Sequence, residues 1–311
     1  MTIEPVIGVE TPAATAVRQT SRIHTRAALG DFWALTKPEI NFLIAIATFT
    51  GFSLGASGRE HFPVVLLIHT LLGTLLVSSG TGTLNQCIEW RFDAQMRRTA
   101  RRPVAAGRLR PSSAMWFGIV LSVAGSIYLL VAVNILASLL AILTSLSYLF
   151  LYTPLKRRTP LCTMVGALPG AMPPLIGWSA ANGSLSLEAW VLYSVLFFWQ
   201  FPHFMAIAWM YRDDYDRAGY LILPRGSARV GFVTWQTLLP LLVLVSISLL
   251  ATPLARLGIA YLVGASLLGV GFIYYAAQFV LRKSNTDARR LLFASIIYLP
   301  SLFVLMVLFS D

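Results

Sequence analysis

Charge is scarce in this chain. Asp, Glu, Lys and Arg together make up 12% of 311 residues, about half the share of a soluble domain, so a water-soluble globular fold is excluded. Acids are rarer still, 13 against 24 Lys and Arg, for a formal net charge of +11. Cysteine occurs only at Cys87 and Cys162, without the paired spacing of a zinc site or the partners of a disulfide framework. Residues 1–30 have no apolar core, so no cleavable signal peptide is expected. Arg18, Arg22 and Arg26 fit a mitochondrial transit peptide, but Glu4 and Glu10 weigh against one. The segment 1–30 reads as a polar, disordered tail and 31–311 as one membrane domain, with no short-period repeat.

Apolar sequence is abundant: hydrophobic residues are 57% and mean hydropathy is +0.71. Nine stretches are long enough to cross about 30 Å of hydrocarbon, roughly 39–57, 63–84, 113–132, 133–152, 162–181, 187–207, 232–251, 257–279 and 291–309. The expected fold is an all-α polytopic membrane protein with nine spans. Basic residues set the orientation. With the N-terminus cytoplasmic, all Lys and Arg except Arg59 and Arg256 fall on that side, which is the positive-inside rule and places the C-terminus outside. The positive charge is therefore topological, and a nucleic-acid partner is not expected; the lipid bilayer is.

The few acids are not scattered. Asn85, Glu89 and Asp93 recur every four residues at the end of the second stretch, and Arg97, Arg98, Arg101 and Arg102 follow. Four-residue steps keep three oxygen ligands on one side of a helix, drifting about 40° and rising about 6 Å per step. Carboxylates at a membrane edge are costly unless a cation meets them. A divalent cation carrying a diphosphate answers that need, and the arginines supply phosphate donors. The plainer reading is an amphipathic helix end whose acids pair with nearby arginines.

Three further segments carry polar groups into apolar surroundings. In the sequence from Phe198 to Pro224, Gln200 and His203 lie three apart within a span, with Pro202 between them, and Asp213, Asp214 and Asp216 follow where it should leave the membrane. Asp213 and Asp214 are candidates for a second metal position; Asp216, beside Arg217, reads as a solvated loop charge. His203 suits an acid–base group or an axial ligand to a porphyrin iron, or simply a hydrogen bond between helices. Lys156, Arg157 and Arg158 follow another span, as anionic-substrate ligands or as snorkelling anchors. Gly166 to Trp178 holds three prolines and three glycines, which must break or bend the fifth span and suits backbone lining a cavity.

Together these residues resemble the UbiA superfamily of intramembrane prenyltransferases. The resemblance runs over about residues 31–310, through Leu35–Ile40, the Asn85–Asp93 ladder with its arginine run, Tyr152–Arg157, Gly170–Trp178 and Trp199–Phe204. The last two segments resemble its haem-farnesylating branch. The resemblance implies helices around a central cavity under a cytoplasmic cap, with Mg²⁺ held by Asn85, Glu89 and Asp93. It implies farnesyl diphosphate and haem b as substrates, and a downstream haem A synthase as the product's acceptor. Lys156, Arg157 and the arginine run Arg97, Arg98, Arg101 and Arg102 would bind diphosphate, and His203 with Gln200 would receive haem. Here Glu89 stands where the superfamily often has Asp, and its second acidic motif is not matched cleanly. A bacterial plasma membrane is the expected location, ahead of the mitochondrial inner membrane. Aromatic prenylation in quinone synthesis, organic-anion transport and haem carriage without catalysis are the rival functions.

Overall fold

The computed structural model describes residues 29–254 and 258–309. Nearly all of the expected tail, and Arg256, lie outside the described residues. Helices follow in order: α1 Pro38–Gly55, α2 Val64–Asp93, α3 Pro111–Ala132, α4 Ile135–Leu146, α5 Cys162–Gly170, α6 Pro173–Asn182, α7 Leu187–Met210, the short α8 Arg212–Arg217, α9 Ala228–Leu254, α10 Ile259–Arg282 and α11 Asn285–Leu308. No strand occurs among the described residues, so the all-α class holds.

Seven of these helices are long and apolar enough to cross a membrane: α2, α3, α4 with its extension to Leu155, α7, α9, α10 and α11. The nine-span count is not reproduced in that form, for two physical reasons. Helix α1 has 18 residues but spends its first turn on Pro38, Glu39 and Asn41. The fifth stretch is two short helices, α5 and α6, because Pro173 and Pro174 cannot continue the ladder of α5. Every residue from Pro173 to Ala181 is buried. Leu175 and Trp178 join one hydrophobic cluster, Ile176 and Ala180 another, so α6 is an interior post with no face for lipid. Its other end is held by Arg59, which donates to the Ala181 carbonyl, and Asn134, which donates to Ser179 O at 2.8 Å.

Close approach requires glycine where α1 meets α6. A Cβ at Gly51 would stand 2.0 Å from Pro174 O, and one at Gly177 would stand 2.0 Å from Thr48 O. The third and fourth stretches, contiguous in sequence at 132 and 133, are separated at Asn134, whose side chain accepts from Ala137 N at 2.8 Å and caps α4. Helix α2 continues nine residues past the expected end at 84, which places the ladder on its last turns.

Candidate active site at one end of the bundle

Asn85, Glu89 and Asp93 are 2%, 5% and 1% exposed. Each already has a partner. Asn85 Nδ2 donates to Glu89 Oε2 at 2.8 Å and to Thr153 Oγ1 at 3.2 Å, while its Oδ1 accepts from Lys37 Nζ at 3.2 Å. Lys156 Nζ donates to both Glu89 oxygens at 2.9 Å. Arg102 Nη1 donates to Asp93 Oδ2 at 2.7 Å, and Thr99 Oγ1 closes the turn on Asp93 O at 2.9 Å. Two buried carboxylates thus sit among three cations.

Local backbone explains how Lys156 arrives there. Pro154 has no N–H and its ring would meet the carbonyl one turn back, and α4 widens into a π-helical turn over Ser147–Tyr152. Thr153 Oγ1 donates to Tyr148 O at 2.9 Å across that wider turn and also accepts from Asn85. The Lys156 ammonium lies 4.6 Å from the Tyr152 ring centroid and 5.9 Å from that of Tyr148. Burial opposes its charge, but the Glu89 carboxylate outweighs burial and holds its pKa well above the usual lysine value. Lys37 is the opposite case: burial first, then Arg102 and Lys156, pull it down to about 7.

Two loops close over this end. Arg98 Nη2 donates to Tyr215 OH at 3.2 Å and its guanidinium stands 5.2 Å from the Tyr211 ring. Arg217 Nη1 donates to Gln95 O at 3.3 Å, Leu221 N to Lys156 O at 2.7 Å, and the Phe92 and Tyr220 rings meet at 5.9 Å. Beneath lies a cavity of about 410 Å³ lined by Glu89, Phe92, Thr153, Arg157, Arg158 and Tyr220, with Ile88 and Pro154. Arg157 stacks over the Phe92 ring at 4.3 Å. Burial, then the Glu89 carboxylate, pushes the Tyr220 phenol up.

The other acids stay apart. The Asp213 side chain is 80% exposed and 3.9 Å from Arg212 Nε. Asp214 pairs with Arg217 at 3.0 Å, and Asp216 with Arg229 at 2.8 Å. Among the described residues no three of His, Cys, Asp and Glu converge on a metal position. Arg97 and Arg101 are exposed, with no side-chain partner among the described residues.

Gln200 and His203 turn to different neighbours. Gln200 Nε2 donates to Ala167 O and Leu196 O, both at 3.1 Å, and its Oε1 fills the space a Cβ at Gly170 would take. His203 Nδ1 meets Ser295 Oγ of α11 at 2.8 Å, and its ring stacks on Trp199 with centroids 4.6 Å apart. Because the Ser295 hydroxyl donates to Leu292 O at 2.6 Å, its lone pair accepts Nδ1–H. That tautomer leaves Nε2 with a free lone pair.

Lys37, Thr153, Tyr220 and Ser295 are the site residues that sequence reasoning did not single out; Arg158 it named within the basic triplet. Thr153 was legible as the residue before a helix-interrupting proline. Lys37 stands in the Leu35–Ile40 segment that carries the resemblance but had no role assigned, and Ser295 carries no local signal, since only packing brings α1 to α2 and α11 to α7.

Comparison with known proteins bears on the family and the fold. The description "UbiA prenyltransferase family" matches residues 44–297. The chain is 44% identical over 285 residues to the protoheme IX farnesyltransferase of Solibacter usitatus, covering 89% of this chain and 98% of that relative. It superposes on digeranylgeranylglyceryl phosphate synthase with TM-score 0.72 at 17% identity, over 91% and 98% of the two chains. A UbiA homologue from Archaeoglobus fulgidus bound to DMAPP and Mg²⁺ gives TM-score 0.55 at 13% identity, over 89% and 99%. At those identities the two structures speak to the fold alone. The family match and the long alignment go further: this integral membrane protein belongs to the UbiA prenyltransferase family.

Proposed function

We infer that the chain transfers the farnesyl group of farnesyl diphosphate to a vinyl group of protohaem IX, with addition of water, giving haem O for haem A biosynthesis. The observation that carries the prenyl-transfer half is the buried Asn85–Glu89–Asp93 ladder beside a cavity walled by Arg157, Arg158 and aromatic rings. Similarity to protoheme IX farnesyltransferases over most of the chain supports haem as acceptor.

The ladder suits Mg²⁺: an amide oxygen and two carboxylates are hard ligands on one helix side, and their burial demands cationic company. Bound there, Mg²⁺ would neutralise charge that builds on the departing diphosphate. Arg157 and Arg158 face the cavity and offer paired N–H donors to diphosphate oxygens; Lys156 and Arg102 add fixed positive charge beside them. Arg98 ties the cap shut through Tyr215, and Arg97 and Arg101 reach solvent, where they draw in the anionic substrate. The farnesyl C1–O bond breaks, C1 bonds to the terminal vinyl carbon, and water adds to the resulting porphyrin-side cation with loss of a proton. Phe92 and Tyr220 exclude water from the first cation and face it with aromatic rings.

His203, fixed by Ser295 with Nε2 free, is the group for the acceptor, as an axial ligand to haem iron. Gln200 supports the same helix from the α5 side. Asp213 and Asp214, paired with arginines, serve in this reading as cap residues beside the metal rather than as its main ligands. The loops lie on the cytoplasmic side of a bacterial plasma membrane, and the product passes to a haem A synthase. Purified protein with haem b, farnesyl diphosphate and Mg²⁺ should yield haem heavier by a hydroxyfarnesyl group, detected by mass spectrometry. EDTA, or Asp93→Asn in protein that still inserts, should abolish it. Farnesylation of 4-hydroxybenzoate in place of haem would overturn the acceptor assignment.

A further inference from the structure

We propose that Lys37, delivered by α1, is a ligand for the diphosphate group, parked on Asn85 until that group arrives. The proposal rests on the diphosphate reading of this site and adds a residue to it from outside the acidic ladder and the basic loops.

Charge is the first argument. Lys156 faces Glu89 and Arg102 faces Asp93, each within 2.9 Å. Among the described residues Lys37 has no carboxylate partner; its ammonium donates to the neutral Asn85 amide. Of the three basic side chains at the ladder, Lys37 is the one that no carboxylate reaches within ion-pair distance, and a polyanion would supply that partner.

Geometry is the second argument. Lys37 has φ 53° and ψ 63°, a left-handed backbone that L side chains adopt at a cost, and it stands immediately before Pro38. Its stem lies along Gly82, where a Cβ would meet Lys37 Cδ at 3.4 Å. The strained backbone and the open track on α2 together aim one ammonium at the ladder.

Asn85 supplies the third argument. Its Nδ2 is engaged with Glu89 and Thr153, so Oδ1 is the atom able to ligate a metal, and Lys37 occupies it. Metal binding to Oδ1 would displace the ammonium, and a diphosphate oxygen carried by that metal is the acceptor of matching charge.

The test uses full-length protein in lipid nanodiscs, with Mg²⁺ and inorganic pyrophosphate titrated by calorimetry and thermal unfolding followed in parallel. Lys37→Met should weaken Mg-pyrophosphate binding by about tenfold or more, the scale of a hydrogen bond to a charged group. Lys37→Arg should recover most of that loss. Lys37→Gly should lose affinity like Lys37→Met with a Tm no lower than wild type, because glycine relieves the left-handed backbone. Unchanged affinity in Lys37→Met overturns the proposal. So does a tighter Mg²⁺ response without loss of pyrophosphate affinity, which would make Lys37 only a competitor for Asn85. A Lys37→Gly variant whose Tm falls together with its affinity assigns Lys37 a structural role instead. If wild type itself ignores Mg-pyrophosphate, the diphosphate reading of the whole site falls, a result distinct from failure of Lys37 alone.

Discussion

Replacing Lys156 by methionine keeps the length of the side chain and removes its charge. Glu89 would then remain buried, its side chain 6% exposed, without the ammonium that reaches both its oxygens at 2.9 Å. Breaking a buried pair from one side costs about 3–5 kcal/mol, most of it the penalty for the abandoned charge. In a chain of this size each kcal/mol moves Tm by about 2–4 °C, so a fall on the order of 10 °C is expected. Lys156→Met with Glu89→Gln should recover most of that loss, because no buried charge is left uncompensated. Mg²⁺ alone should raise the Tm of the single variant more than that of wild type, since the metal would meet the exposed need of Glu89; at a hundredfold excess over Kd the gain is about 2.7 kcal/mol. Thermal unfolding in detergent, with and without Mg²⁺, measures all three, and turnover should be lost in both variants. A single variant as stable as wild type, or a double variant no more stable than the single, would refute the claim that Lys156 neutralises Glu89. The raised pKa of Lys156 adds a sign: its contribution is fully present below the unfolded lysine pKa and fades only as pH climbs through the higher folded value. Wild type should therefore show no loss of this pair across neutral and mildly alkaline pH.

Arg157→Lys keeps charge at the cavity wall but removes the planar fork stacked on Phe92; the apparent KM for farnesyl diphosphate should rise several-fold, and a shift confined to the KM for haem would reassign Arg157 to a propionate. His203→Ala should block haem conversion while leaving Mg²⁺-dependent farnesyl diphosphate binding intact, and the Soret band of bound haem should shift if an axial ligand is lost; normal spectra and turnover would leave His203 a packing residue on Trp199 and Ser295. Gly177→Val places side-chain atoms where Thr48 O already sits 2.0 Å from a Cβ, so α1 and α6 must separate, and the variant should fail to accumulate as folded protein in membranes, read by detergent-resistant gel filtration.

Much of this protein was determined by its sequence alone, wherever one residue's neighbours along the chain settle its environment. Apolar runs of membrane length have no soluble alternative, so the all-α membrane class followed from composition. The four-residue spacing of Asn85, Glu89 and Asp93 sets one helix side whatever surrounds it, and the prolines after Gly170 had to break a helix. Other features depended on partners far along the chain. Whether a Gly- and Pro-rich stretch spans the membrane or forms a central post depends on what covers both its faces, and only packing by α1, α2, α4 and α7 made α6 interior. Gln200 and His203 looked like one site because they share a helix; α5 claims one and Ser295 the other, because their directions differ enough to meet separate neighbours. Asp213 and Asp214 read as candidates for a second metal position, yet they lie beside Arg212 and Arg217 across local turns, and Asp216 pairs with Arg229. Lys37 is the clearest case of what tertiary structure alone decides: a lysine before a proline has no chemistry by itself, and acquires one when the start of α1 is folded against Gly82 and Asn85.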